Sequence, residues 1–543
     1  MYDEKAGGAR PGNGHEYDIQ EGEGQQLHRL LKGRHMQMIA IGGAIGAGLF
    51  VGSGSAFSHG GPASVVLCFI IIGCMLLLVM QALAELAVMY PVNGAFFTYC
   101  VRFINPAWGF ACGWDYAIQW LTILPFEITA AGLTIAFWPR GAEVNIGVWV
   151  AVFLVALSVI QIFGIRGYGE VEFVLSTIKV LACTGFIILG IIINCGGVPS
   201  DPRGYIGGYY WHEPGGTAFR NGFQGFCAVF VTASFAFGGT ELTGLAAAEA
   251  ENPLKSIPLA TKQVFWRITF FYVICLLLVG LNIPSGSDFL LNSSGANTKY
   301  SPFVYVMTLA NIKVLPSIFN VVITVSVLSV ANSCSFGSTR TLQALAAQGM
   351  APKFFSYIDK HGRPYWCVVL QLVFGLLAFC NEATNGGPIF FNWLLALSGL
   401  ANFFIWGSIC FAHIRFRAGW QAQGHSLAEI PYKAPFGVWG SWTGLILNML
   451  CIMAAFYNAL YGVGGTPNAS GFFQSFLAAP MILALYLFWK IYTRDFSLFI
   501  AAKDMDVTSG IRMNVQELIE ATKGQEADLT WKTLPMRALR SLF

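Results

Sequence analysis

Charge is scarce in this chain: Asp, Glu, Lys and Arg make up 11% of its 543 residues, where soluble domains carry roughly 25%. With 55% hydrophobic residues and a mean hydropathy of +0.60, a water-soluble fold is excluded. Metal-ligand spacing is missing too. The 13 cysteines stand singly, with neither a C-x-x-C pair nor a Cys/His zinc pattern, and read as apolar filling. His15-Glu16 and His212-Glu213 lack the second His that a metalloprotease helix requires at i+4. No nucleophile is paired with a base, so intramembrane catalysis has no visible apparatus. No cofactor and no nucleic-acid partner is expected. The polar, glycine-rich N-terminal stretch has no apolar signal-peptide core, which leaves insertion to the first apolar span.

Long apolar runs are what the chain does have. They recur from near Met36 to about Lys490, many close to the roughly 20 residues that carry a helix across the hydrocarbon core. Lipid admits only helices and closed barrels as spanning structures, and barrel alternation is missing, so the fold class is an all-α polytopic membrane protein. About twelve spans are expected, near 36–57, 63–90, 107–137, 147–165, 171–194 and 223–247, then 264–284, 314–342, 366–381, 389–411, 438–461 and 472–493. This divides the chain into a tail over 1–35, a transmembrane domain over 36–493 and a tail over 494–543. The second tail encodes no enzyme domain, and its charged stretch near Val515 to Thr522 reads first as a solvated helix. Either tail is where trafficking or ubiquitin machinery would dock.

An even number of spans puts both tails on one side, and Lys/Arg excess marks the cytosolic side. With the tails in the cytosol, the inside loops hold Arg102, Arg166, Lys255, Lys262, Arg267, Arg340, Lys353, Lys360, Arg363, Arg415, Arg417 and Lys433. The outside loops hold only Arg140, Arg203, Arg220, Lys299 and Lys313. The glycosylation sequons at Asn292 and Asn468 both fall outside in this topology.

Glycine is unevenly distributed. The first span carries it at 42, 43, 46, 48, 52 and 54. At roughly 0.8–1.0 kcal/mol each against alanine, the six oppose a continuous helix by about 5 kcal/mol. Spacing alone leaves two readings open: a break near Ile45 to Gly48, or close helix packing through Gly42-x-x-x-Gly46 and Gly48-x-x-x-Gly52. The sixth span, Ser234-Phe-Ala-Phe-Gly-Gly-Thr-Glu241, places a glycine pair and an acid inside another apolar run and favours the break. Interrupted segments five spans apart point to the site of an inverted-repeat transporter. The half-helix N-termini offer N–H groups to a carboxylate, and the freed carbonyls accept from an ammonium, a polarity that fits an amino-acid zwitterion.

Four stretches of this sequence resemble one family. They are Gly43-Ala-Ile-Gly-Ala-Gly-Leu-Phe50, Pro125-x-Glu127, Phe235-Ala-Phe-Gly-Gly-Thr-Glu241, and the run from Ala331, Asn332 and Ser333 through Arg340 to Gly349-Met-Ala-Pro-Lys353. The chain is similar in these to the fungal amino-acid permeases of the amino acid-polyamine-organocation superfamily. The resemblance implies a LeuT-type 5+5 inverted repeat over 36–194 and 223–411, two extra helices over 438–493, and broken helices 1 and 6. It implies that amides around Ile45, Gly46, Ala47 and Gly48 bind the substrate carboxylate. Carbonyls near Ala44, Phe235, Ala236 and Gly238 would take the ammonium, and Phe235 would cap it. Glu127 and the tenth span around Ser398 to Phe403 would complete the pocket.

Charged residues deep in lipid are functional by default, at an insertion cost of roughly 2.5–3.5 kcal/mol. Lys179, in the fifth span, is the one Lys or Arg well inside an expected span. By resemblance it stands against the broken first helix, where sodium-coupled cousins hold an ion, and would exchange the coupling proton. Glu241, just after the sixth-span break, is the second coupling or gating residue, and Glu85 and Asp115 read as structural or gating pairs. The resulting expectation is secondary active transport of L-amino acids across the plasma membrane by proton symport and alternating access. An exchanger or facilitator of the same fold, or a non-transporting sensor, are the other readings. Sensors resembling these permeases carry a long N-terminal extension, and this tail is short.

Overall fold

A computed structural model describes residues 31–511 apart from 32, 213–217, 251, 292–300, 361, 383–386, 465–466 and 468. Asn292, Asn468, most of the N-terminal tail and the stretch 515–522 lie outside the described residues. Among those described, seven helices are long and apolar enough to cross a membrane, and four shorter apolar helices accompany them. The chain is an all-helical, multi-pass membrane protein.

The first crossing begins as α1 (Gly33–Ala44), breaks, and resumes in a π-helical turn, Gly48–Gly52, that runs into α2 (Ser53–Met89). That continuous helical stretch, 42 residues from Gly48 to Met89, would be about 63 Å long if straight, twice the hydrocarbon core. It therefore folds back on itself at Gly61, whose φ of 74° only glycine adopts without strain, followed by Pro62. The expected loop over 91–106 instead contains a helix, α3 (Ala95–Phe103), wholly buried. Then come α4 (Pro106–Ile135), α5 (Ile146–Ile162) and α6 (Gly164–Asn194). The sixth crossing is α7 (Gly222–Phe237), an unwound turn, and α8 (Leu242–Leu245) with a 3-10 extension to Glu249. There follow α9 (Pro253–Asn282), α10 (Leu315–Ala347), α11 (Tyr365–Gly375), α12 (Gly387–Ala422), α13 (Gly437–Leu460) and α14 (Ala478–Thr493).

Two packing groups result. Helix α2 packs against α7 and α9, with α1 along α9 and α6, while α4 packs along α10 with α5 and α11 beside it. The lipid-facing sides of α5 and α13 account for many exposed large apolar residues, such as Val155 and Met453.

At the end of the bundle bearing α3, buried charge is paired. Arg417 and His413 of α12 approach Glu85 of α2 at 2.6 and 3.0 Å, and Ala434 N donates to the same carboxylate at 2.7 Å. Arg340 of α10 meets Glu249 at 2.8 Å. Arg340 and Arg417 thus belong to helix ends inside the protein, not to loops as expected, because the salt bridge and the long aliphatic stem let a guanidinium be buried there. Asp115 has no such pair: both its oxygens are buried without a hydrogen-bond partner among the described residues. Glu249→Ala strands the Arg340 charge. Loss of one partner of a buried pair costs about 3–5 kcal/mol, so detergent-solubilised E249A is expected to melt well below wild type in a thermal-aggregation assay.

The start of the C-terminal tail is also tied down. Asn105 Nδ2 donates to Ser497 O at 2.7 Å, Tyr90 OH to Val507 O at 2.6 Å and Arg102 Nη1 to Ser509 O at 2.7 Å.

Candidate substrate site

The two helix breaks face each other. On either side of the first, the helical ladder is intact: Ile45 N donates to Ile41 O and Phe50 N to Gly46 O, both at 3.1 Å. The second break holds Gly239 at φ +96°, and a Cβ there would lie 2.6 Å from Gly43 O. A Cβ on Gly48 would lie 2.5 Å from Ala236 Cα. Glycine is required because backbone crosses backbone.

Half-helices α1 and α7 end here, so their carbonyl termini carry partial negative charge into the bundle. Ala44 O and Ala236 O converge on the Tyr272 hydroxyl of α9 at 2.8 and 2.6 Å. One hydroxyl has one proton to donate, so two acceptors share it. From the other side, the buried Glu127 carboxylate of α4 stands beside the break, its Oε1 3.6 Å from where a Cβ on Gly46 would lie. A cavity of about 280 Å3 lies between, lined among others by Ala44, Gly48, Trp120, Glu127, Phe235 and Asn402. Phe235 packs edge-on against Phe126, with ring centroids 5.0 Å apart.

Of the residues singled out from sequence, Ala44, Gly48, Glu127, Phe235 and Gly238 line this cavity together. Ile45, Gly46 and Ala47 form the break beside it, and Ala236 contributes the carbonyl bonded to Tyr272. Ser398 stands one turn behind, its hydroxyl donating to Leu394 O at 2.8 Å. Asn402, the next residue on that face of α12, reaches the cavity; it donates to Ser234 O at 3.0 Å and accepts from Gln119 Nε2 at 2.5 Å. Glu241 points elsewhere: it accepts from Tyr116 OH at 3.1 Å, Trp406 Nε1 at 3.2 Å and Gly239 N at 3.2 Å, bracing the unwound turn. Lys179 is fully buried outside the cavity lining, with Glu172 and Glu127 as its acidic neighbours.

Sequence reasoning missed Tyr272, Trp120 and Glu172, while Asn402 lies inside the stretch Ser398 to Phe403 that was expected to complete the pocket. Tyr272→Phe removes the shared proton while keeping the ring. Uptake of labelled amino acid is expected to fall about fivefold, in line with about 1 kcal/mol for a lost hydrogen bond, with surface abundance unchanged on a blot.

Broken helices packed around a central cavity define a solute transporter of the membrane-helix class, and the solved structures agree on the fold. The Eremococcus coleocola manganese transporter superposes with a TM-score of 0.53 at 14% identity, covering 88% of this chain and 99% of its own. The amino acid permease family model matches residues 35–502, so the chain belongs to that family; it is a transporter and not an enzyme. Among its relatives, "Cationic amino acid transporter 1" of Schizosaccharomyces pombe is 52% identical, covering 90% of this chain and 82% of the relative. "General amino-acid permease GAP2" of Candida albicans is 50% identical over 92% of this chain and 84% of its own length. "General amino-acid permease GAP1" of Saccharomyces cerevisiae is 48% identical over 92% and 83%.

Proposed function

We propose that this protein carries L-amino acids across the plasma membrane, coupled to protons. The observation that carries the reading is the polarity of the cavity. The carbonyl ends of α1 and α7 and the amide end of the resumed first helix meet at one place, and a zwitterion is the solute whose two charges match that pair of ends. Relatives named for general and for cationic amino-acid transport support the solute class, and a broad neutral range is the default for the side chain.

Substrate ammonium would take the acceptor capacity that Ala44 O and Ala236 O share on Tyr272. Substrate carboxylate would meet the amides of Gly46, Ala47 and Gly48, displacing Glu127 from the break, with Phe235 closing over the bound molecule. The repeats over 36–194 and 223–411 would exchange access as the group of α1, α2, α7 and α9 rocks against α4 and α10. Glu241 would hold the shape of the hinge in α7–α8, and Lys179 would carry the proton, which makes the proton gradient the driving force and leaves no cofactor to supply. Both tails lie in the cytosol in this reading, with the Asn292 and Asn468 sequons outside.

The test is uptake of a panel of labelled amino acids into transporter-deficient cells at several external pH values, with and without a protonophore. Uptake that rises as the outside is acidified and collapses with the protonophore is expected. Uptake indifferent to the gradient would reject symport in favour of exchange or facilitation. Binding without uptake of any panel member would mean a sensor.

A further inference from the structure

Between α6 and α10 two polar stripes face each other, and substrate binding uses neither. On α6, Tyr168, Glu172, Ser176 and Lys179 recur at the spacing of one helix face, and Ser329, Asn332, Ser333 and Arg340 do so on α10. All eight are buried. Their centre is the Glu172 carboxylate. Ser329 donates to its Oε1, Asn332 Nδ2 to its Oε2 at 3.2 Å, and Ser176 Oγ lies 3.5 Å from Oε1 while donating to Met38 O of α1 at 2.9 Å.

Lys179 follows Ser176 on this face, two turns from Glu172, and Glu172 is the first of its acidic neighbours. One turn further on, Tyr168 OH donates to Ser333 Oγ at 3.3 Å, and its ring stacks on Phe336 at 5.1 Å. The Arg340 guanidinium lies over the other ring, 5.3 Å from the Phe336 centroid. Here the stripe meets a cavity of about 310 Å3, lined by Gln161, Tyr168, Arg340 and Arg363 among others. The Gln161 amide nitrogen has no hydrogen-bond partner among the described residues. In the topology proposed above, this end of the bundle is cytosolic.

The charged and titratable groups facing Glu172 are few. Lys179 and Tyr168 share its helix, Arg340 and Cys334 stand on α10, and Glu127 approaches Lys179 from α4. His35 of α1 turns to Glu170 at 3.2 Å, and Arg340 is held by Glu249.

We propose that Glu172 is the second carrier of the coupling proton, taking it from Lys179 and releasing it to water in the cavity below Tyr168. This rests on the proton-symport reading. The Lys179 ammonium loses its proton to the Glu172 carboxylate, leaving a neutral amine and a carboxylic acid. The O–H bond of that acid then breaks, the proton passes to cavity water through the hydroxyls of Ser333 and Tyr168, and the carboxylate is restored. Lys179 regains its charge from the outer side on the next cycle. Transfer within the oppositely charged pair creates no new net charge, and the negative charge left after release stands on Glu172, where Ser329 and Asn332 donate to it, until Lys179 is recharged.

The experiment uses the full chain in liposomes with an entrapped pH dye. It measures amino-acid-driven proton entry, net uptake and, at equal pH on both sides, exchange of labelled for unlabelled substrate. Glu172→Gln is expected to lower proton entry and net uptake at least about a hundredfold, the scale of a lost proton carrier, while exchange continues. Glu172→Asp is expected to recover part of the proton entry. Proton entry in E172Q equal to wild type overturns the proposal. So does equal loss of exchange and uptake, which would make Glu172 a structural tie between α6 and α10. If E172Q does not reach the membrane, Tyr168→Phe carries the same readout: slowed proton entry with exchange intact supports the route, and unchanged proton entry overturns it. Wild type that takes up substrate without proton entry defeats the symport reading itself, a result distinguishable from failure of the relay alone.

Discussion

Gly48→Ala is expected to reduce amino-acid uptake by about tenfold or more, because overpacking costs about 1–3 kcal/mol and 1.4 kcal/mol is a factor of ten. The added methyl would lie 2.5 Å from Ala236 Cα and 2.9 Å from Ala236 N. Those are backbone atoms, so no rotamer change relieves the collision. The two broken segments must separate, and the separation falls on the carbonyl and amide ends that recognise substrate. Gly46→Ala is expected to do less: its nearest obstacle is the Val330 side chain at 2.4 Å, not the backbone of the other break. Gly185→Ala, on α6 where nothing stands within 4 Å, is the control and is expected to transport normally. Uptake of labelled amino acids normalised to surface abundance measures all three. Wild-type uptake by Gly48→Ala would mean that the crossing of the breaks does not shape the site.

The glycine pattern made the breaks legible in the sequence but left their purpose divided between interruption and close packing. Both hold at once: Gly43, Gly46 and Gly48 let the chain unwind and let α7, α8 and α10 approach. Glu127 was legible as an acid inside an apolar span and through the resemblance carried by Pro125-x-Glu127. Glu172 was not, for a definite reason. Arg166 and Glu170 lower the hydropathy of the first turns of α6, so the fifth span reads as starting near 171, whereas the helix starts at Gly164. That shift moves Glu172 from a membrane edge to a buried helix face. Tyr272 follows Phe270 and Phe271 and reads as one more aromatic; its hydroxyl matters only because two chain breaks remote in sequence deliver their carbonyls to it. Glu241 shows the converse. Its position beside the break was plain, but its partners Tyr116 and Trp406 lie on α4 and α12, and only the packing of three helices shows that it braces the turn.

Lys179→Ala is expected to abolish the response of uptake to the proton gradient and to lower net uptake at least about tenfold, while exchange at equal pH survives. The lysine is fully buried, its acidic neighbours are Glu172 and Glu127, and Glu127 in turn stands beside the Gly46–Ala47 break where substrate carboxylate would bind. Substrate arrival and proton binding therefore meet at one carboxylate: a substrate that displaces Glu127 from the break frees it to face the Lys179 charge. Removing the ammonium leaves two acids without their cation, and the loss of one partner from a buried charged set costs about 3–5 kcal/mol, so abundance at the surface must be measured beside uptake. Lys179→Met keeps the length of the side chain and separates packing from charge. If Met restores abundance but not the pH response, the ammonium itself carries the coupling. If either variant keeps the wild-type pH response, the proton travels by another group, and Glu127, in contact with both the break and the substrate cavity, is the next residue to test.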